Sequence, residues 1–212
     1  MKPYHKINTI YKRDLETHQL IEGDYSCEEF ELLKDIEWVG TEKIDGTNIR
    51  VNWHGEDEVV LFKGRTDRAV IPKHLEAHLV AAFPPWLMHN VFGNKSVCLY
   101  GEGYGVKIQQ GGNYTPNGVG FILFDILVGD WWLKREDVAE TALSLSIPVV
   151  PIITSGRLED AKRVVRQGFR SRIAHNREYM AEGLILKPRL ELFARNGTRI
   201  ITKLKHKDFK LC

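Results

Sequence analysis

The stretch Thr41-Glu-Lys-Ile-Asp-Gly-Thr-Asn-Ile-Arg50, continued by Val51-Asn-Trp53, decides how this chain is to be read. From Trp38 onward the hydrophobic period is two. Thr47, Ile49, Val51 and Trp53 fall on one face, with Asn48, Arg50 and Asn52 on the other. The pattern predicts a half-buried strand with a polar working face. Gly46 stands just before it, where a missing Cβ lets the backbone approach a phosphate closely. Lys43 sits beside that turn. Taken alone, such a lysine is more often a solvated strand end than a functional group.

Reading outward, Glu58 to Lys63 follows the turn-like His54-Gly-Glu-Asp and should pair with the first strand as an antiparallel hairpin. Residues 73–82 read helical until Pro84-Pro85 stop the pattern. Ser96 to Gly105 is a strand running into glycines, and Ile108 to Gly118 is a polar, glycine-rich loop. Gly120 to Val128 is an almost continuous apolar run, which fits a strand buried on both faces and leaves its lone Asp125 to be explained. Amphipathic helices are expected over 134–146 and 158–169, and strands over 181–187 and 199–205. Residues 1–37 read as an irregular lead-in with one short helix. The expected fold is α+β, with antiparallel β-sheets flanked by helices in a single domain over 1–212, the lead-in packed on it.

The 212 residues are 43% hydrophobic and 27% charged, which excludes wholesale disorder and a fibrous architecture. A net charge of +2 neither demands nor excludes a nucleic-acid partner. Its distribution is more informative: Lys162, Arg163, Arg166, Arg170, Arg172 and Arg177 precede Lys203, Lys205, Lys207 and Lys210. A solvated helix face explains the first group as well as a phosphate track does. Cys27, Cys98 and Cys212 are too dispersed for a disulfide framework or a zinc site. No signal peptide or membrane-length apolar run is present, so a cytoplasmic protein with no membrane partner, and a monomer, is expected.

Lys43-Ile-Asp45-Gly46-Thr47-Asn48 resembles the first motif of the covalent nucleotidyltransferase superfamily of DNA ligases, RNA ligases and capping enzymes. Lys63-Gly-Arg65-Thr66 is similar to the family's arginine-bearing segment, Tyr100-Gly-Glu102-Gly to its ribose-binding motif, and Phe121-Ile-Leu-Phe124-Asp125 to its aromatic third motif. Glu182 to Lys187 and Thr202 to Lys205 resemble the fourth and fifth motifs. The order of these segments along the chain is the family's order. Asn48 stands where DNA ligases and capping enzymes carry arginine, which makes the chain most similar to the RNA ligase 2 group. Asp45 is a residue shared with DNA ligases. The resemblance implies an adenylation domain with an ATP-grasp-like core, in a minimal form lacking the C-terminal domain usual in such ligases.

Physical chemistry gives reasons for these residue types. A lysine of ordinary pKa is only about one part in a thousand neutral near physiological pH, so Lys43 needs activation before it can attack a phosphate. Lowering its pKa by about three units requires roughly 4 kcal/mol. Lys203 and Lys205, two apart on a strand, share a face from which to destabilise an ammonium and bind phosphate. The resemblance implies that Phe124 stacks on adenine, that Glu102 holds ribose and that Arg65 binds ribose or phosphate. Glu42 and Lys187 join the nucleotide-binding set. Glu182 and Asp125 are candidate ligands for Mg2+ or Mn2+, although a hydrogen-bonded strand carboxylate explains Asp125 equally well. Lys187 lies five residues after Glu182, so a bend is needed for both to reach one pocket.

The implied reaction is three displacements at phosphorus: Lys43 on ATP, a polynucleotide 5′-phosphate on lysyl-AMP, and a 3′-hydroxyl on the activated end. Asn48 is the candidate for engaging the polynucleotide, with RNA ends or a duplex nick as substrate. A DNA ligase and a capping-type guanylyltransferase are the alternatives within this chemistry. A non-catalytic nucleic-acid-binding module has no need of a nucleophilic lysine set against carboxylates.

Overall fold

A computed structural model describes residues 2–109 and 111–209. In chain order the lead-in holds β1 (Asn8–Thr9), β2 (Tyr11–Arg13), β3 (Leu20–Tyr25) and α1 (Glu28–Leu32). There follow β4 (Trp38–Glu42), β5 (Thr47–His54), β6 (Val59–Gly64), α2 (Lys73–Ala82), α3 (Pro85–Phe92), β7 (Val97–Gly105), β8 (Val119–Val128), β9 (Trp131–Trp132) and α4 (Arg135–Ser144). The remainder is β10 (Ile152–Gly156), α5 (Leu158–Gln167), β11 (Gly183–Pro188) and β12 (Thr202–Lys205), ending in a 3₁₀ turn at His206–Phe209. Lys210 and Cys212 lie outside the described residues, as does Gln110 of the glycine-rich loop.

Two units emerge. The first gathers the described residues of 1–5, 45–150 and 174–176, and the second those of 6–44, 151–173 and 177–212.

The first unit is built on an antiparallel sheet in the order β6-β5-β7-β8-β9. The period-two face read from the sequence is its core: Ile49, Val51 and Trp53 are fully buried and pack with Leu75 and Leu79 of α2, Met88 of α3 and Val138 of α4. The opposite face departs from expectation. Arg50 and Asn52 are also buried, because Arg50 is satisfied internally: its Nε donates to the Gly64 carbonyl at 2.8 Å and its Nη2 meets Asp67 at 2.7 Å. That face is partly open only at its ends, Asn48 and His54. Pro84-Pro85 ends α2 and also begins α3, with Pro85 in the first turn where a missing N–H costs nothing.

The second unit carries a sheet in the order β1-β12-β11-β4-β10, beside the hairpin β2-β3. Leu184, Leu186 and Leu204 point to one side, into a core closed by Trp38, Phe30 and Leu158, Ala161 and Val165 of α5. The lead-in is thus more regular than its composition suggests. Its β1 runs parallel to β12, pairing Thr9 with Lys203, and the Thr202 hydroxyl donates to the Asn8 carbonyl at 3.0 Å. These strands are too short for their alternation to be read from sequence.

Candidate active site

In the second unit β4 delivers Lys43. Its backbone N–H donates to the Gly183 carbonyl at 2.9 Å, one residue past the end of the strand, which fixes the root of the side chain against β11. Glu182 precedes β11, and its carbonyl accepts from His206 at 2.9 Å. Between them Gly183 has φ of +153°, and a Cβ there would lie 1.9 Å from the Leu204 carbonyl oxygen. Only glycine permits that approach. This is the bend that the spacing of Glu182 and Lys187 calls for. From Gly183 onward β11 keeps unbroken register with both neighbours, so Lys187 and Ile185 share a face with Lys203 and Lys205.

The Glu182 carboxylate holds two ammonium groups. Oε2 lies 2.5 Å from Lys43 Nζ and Oε1 lies 2.6 Å from Lys205 Nζ. All three side chains are about four-fifths buried, at 21%, 17% and 22% exposure for Lys43, Glu182 and Lys205. Burial alone would raise the Glu182 pKa, but the two ammonium neighbours overcome it and hold the carboxyl below its ordinary range. Lys203, which makes no salt bridge among the described residues, has its pKa lowered first by burial and then by the positive charges of Lys205 and Lys43. The arrangement is an amine held on an anion, with further cations positioned to attract phosphate.

Glu42, the last residue of β4, precedes Lys43. It alternates with Lys43 to the core side of β4, where it is 1% exposed, opposite Leu184. Its carboxylate accepts from the Ser171 hydroxyl and from the Arg172 backbone N–H at 2.8 Å. Burial pushes its pKa up, against those bonds. These partners make Glu42 a brace for β4.

In the first unit Asn48 and Glu102 are direct cross-strand partners on β5 and β7. Asn48 Oδ1 is buried with no hydrogen-bond partner in the described structure, an arrangement that costs about 1–3 kcal/mol unless a ligand supplies a donor. The preceding turn is tight: a Cβ on Gly46 would meet the Gly103 carbonyl oxygen at 2.3 Å, and the Asp45 N–H donates to the Tyr114 hydroxyl at 3.0 Å. Arg65 lies exposed just past β6.

Phe124 owes its setting to a feature that alternation cannot reveal. Opposite β7, Tyr100 pairs with Asp125 and Gly101 with Leu123, so Phe124 is the extra residue of a β-bulge. The bulge turns its ring out of the ladder, and it is one of the few half-buried side chains of β8, edge-on to Tyr4 at 5.1 Å. Asp125, one residue on, is 1% exposed and accepts the Tyr4 O–H at 2.6 Å. That is the hydrogen-bonded strand carboxylate of the simpler reading.

For a divalent ion the donor set is sparse. Among the described residues no three His, Cys, Asp or Glu side chains cluster in metal-binding geometry. A single carboxylate, Glu182, suits an ion such as Mg2+ that arrives with its phosphates and takes one or two carboxylates from the protein. Four of the basic residues on and after α5 are in ion pairs: Lys162 pairs with Glu159 and Arg170 with Glu178, each at 2.6 Å, and Arg163 and Arg166 pair with Asp160 and Glu22.

The second unit thus holds a lysine amine on a carboxylate, with Lys203 and Lys205 on the neighbouring strand β12. The chain belongs to the RNA ligase family, whose model matches residues 36–205. Among solved structures it is similar to the RNA ligase of Naegleria gruberi. A variant with ATP and Mn is 21% identical, with a TM-score of 0.63 over 85% of this chain and 54% of that one. A second variant, with AMP and Mn, is 20% identical over 84% and 52% at the same TM-score. The form with PPi is 21% identical over 84% and 51%, with a TM-score of 0.62. At this identity the likeness is one of fold, and the chain spans about half the length of those proteins. No curated protein matches it in sequence.

Proposed function

We propose that this chain is the nucleotidyltransferase part of an ATP-dependent RNA ligase, working as one catalytic domain with Lys43 as the residue that carries AMP. The observation that supports this best is the bridge Lys43–Glu182–Lys205 on adjacent strands. It fixes an amine at the end of a rigid sheet and surrounds the place where an α-phosphate would sit with positive charge.

In the first step Lys43 Nζ gives up a proton and attacks the α-phosphorus of ATP; a P–N bond forms and pyrophosphate leaves. Glu182 Oε2 holds the amine in position before attack, so little reorganisation precedes the reaction. Lys203 and Lys205 stabilise charge on the α-phosphate oxygens, an effect that low dielectric enlarges. Glu182, together with the phosphates, would hold a divalent cation, which would neutralise charge on the phosphate oxygens. Within the first unit the turned-out ring of Phe124 suits a purine and Glu102 suits ribose hydroxyls, with Arg65 as a further phosphate or ribose contact; in the second unit Lys187 suits phosphate. Asn48, with its unpartnered oxygen, suits a donor on the polynucleotide end in the later steps, where AMP passes to a 5′-phosphate and is displaced by a 3′-hydroxyl.

Cys27 and Cys98 are free thiols, and among the described residues no helix is long and apolar enough to cross a membrane. Both features suit the cytoplasm. Incubation with magnesium and α-labelled ATP should give acid-labile label on the protein that pyrophosphate removes. Labelling by GTP alone would select a capping enzyme, and no label from either nucleotide would sink the reading. Assays on nicked RNA, nicked DNA and single strands then identify the substrate.

A further inference from the structure

The second unit contains a groove of about 510 Å³ that runs beyond the catalytic Lys203 and Lys205. Among the described residues six cations line it, Lys6, Lys12, Arg13, Lys203, Lys205 and Lys207, and no carboxylate does. Arg13, Lys12 and Lys205 are steadied from outside by Asp208, Asp24 and Glu182, at 2.7, 2.7 and 2.6 Å. Lys6, Lys203 and Lys207 make no salt bridge among the described residues, so half of the charge in the groove awaits an anion.

The groove is a built feature. β1 is hydrogen-bonded along β12 with Thr9 in register with Lys203, and Ser26 ties β1 to the hairpin by donating its hydroxyl to the Thr9 carbonyl at 2.5 Å and its N–H to the Ile10 carbonyl at 2.9 Å. The lead-in therefore presents its cations at a fixed place beside the two lysines of β12. Lys6, Lys12, Arg13 and Lys207 all lie outside residues 36–205, the segment that matches the family. They extend the charge of the face that carries Lys203 and Lys205.

We propose that this groove holds the sugar-phosphate backbone of the polynucleotide being joined and leads its 5′-phosphate toward Lys43, an inference that rests on the ligase reading above. Three observations select that ligand. At about 510 Å³ the space is larger than one phosphate fills. Its only aromatic ring, Tyr11, is buried against Tyr25 and Lys162 and offers no face to a base. The groove also supplies no carboxylate for ribose, so it suits a run of phosphates and not a whole nucleotide. Its inner end is Lys205, which shares Glu182 with Lys43, and its outer end is the exposed Lys6, Lys12 and Lys207. Binding here is therefore independent of base sequence.

The test compares the full chain with Lys6→Ala/Lys12→Ala and Lys6→Glu/Lys12→Glu, measuring binding of a 5′-phosphorylated RNA oligomer as a function of salt. Both unmodified and adenylylated protein are used. Each lost phosphate contact should lower the slope of log K against log[salt] by about 0.7 for a single strand. The double alanine variant should bind at least tenfold more weakly with a slope shallower by about 1.4, and the double glutamate variant more weakly still. Labelling by ATP and the melting temperature should be unchanged. Unaltered RNA affinity and slope would overturn the proposal, as would loss of ATP labelling with RNA binding intact, which would give the groove to the triphosphate. Absence of labelling in the wild-type protein would condemn the ligase reading alone, since the salt slopes of the unmodified protein still report on the groove.

Discussion

Lys43 Nζ and Glu182 Oε2 lie 2.5 Å apart although 139 residues separate them. The contact exists because Lys43 is hydrogen-bonded to Gly183 through its backbone while Gly183 turns Glu182 back toward it. The position of the amine therefore depends on a carboxylate and a glycine as much as on its own strand.

Replacing Glu182 by Gln keeps the shape and removes the charge between two part-buried ammonium groups. Adenylylation by ATP should fall by about 10²-fold, read as the initial rate of labelling. The pH dependence follows from the carboxyl being held below its ordinary 4.5. Its charged form contributes stability above 4.5, and that contribution is lost as pH falls through the lower, folded value. Acid unfolding followed by circular dichroism should accordingly show a steeper loss of stability in the wild type than in Glu182→Gln. Parallel acid limbs would contradict the assignment.

Lys203 should show the opposite balance. A lysine whose folded pKa is depressed destabilises the fold while it is protonated, and the penalty fades as pH rises through the folded value toward the ordinary one. Lys203→Met should therefore raise stability at neutral pH by about 1 kcal/mol while cutting adenylylation. Urea unfolding at neutral pH and the labelling rate check the two parts.

Asn48→Ala removes an acceptor that is buried without a donor. Unfolding free energy should change by less than about 1 kcal/mol or rise, since no hydrogen bond is lost. Joining of RNA ends should fail while Lys43 labelling continues. A destabilisation above about 2 kcal/mol would make Asn48 a structural amide.

At Asp125 the prediction is structural. Asp125→Ala should weaken the fold by about 1–3 kcal/mol by leaving the Tyr4 hydroxyl without its acceptor, and leave the magnesium concentration needed for half-maximal labelling unchanged. A rightward shift in that titration would return Asp125 to the metal.

Much of this molecule was legible in its sequence. The alternation Ile49, Val51, Trp53 and the apolar run of β8 carried the α+β reading, and the Pro84-Pro85 break ended α2 at its proper place. What escaped was whatever local pattern does not encode. The bulge at Phe124 is a property of pairing between β7 and β8, and burial of Arg50 depends on a carbonyl and a carboxylate in distant turns. Likewise β1 and β10 become strands only through their partners β12 and β4. For the candidate site, the family resemblance singled out Lys43, Glu182, Lys203 and Lys205, which the second unit brings together at the ends of β4 and β11 and on β12. The role of Glu42 as a brace was hidden, because parity places it on the core side and only Ser171 and Arg172 show what it does there.

The most direct test of the account is whether AMP becomes bonded to Lys43. Intact-protein mass spectrometry after incubation with ATP and magnesium, followed by peptide mapping, should find one AMP on the peptide that contains Lys43 and none on folded Lys43→Ala. Adenylylation of Lys43→Ala to the wild-type extent, or AMP mapped to Lys203 or Lys205, would contradict it.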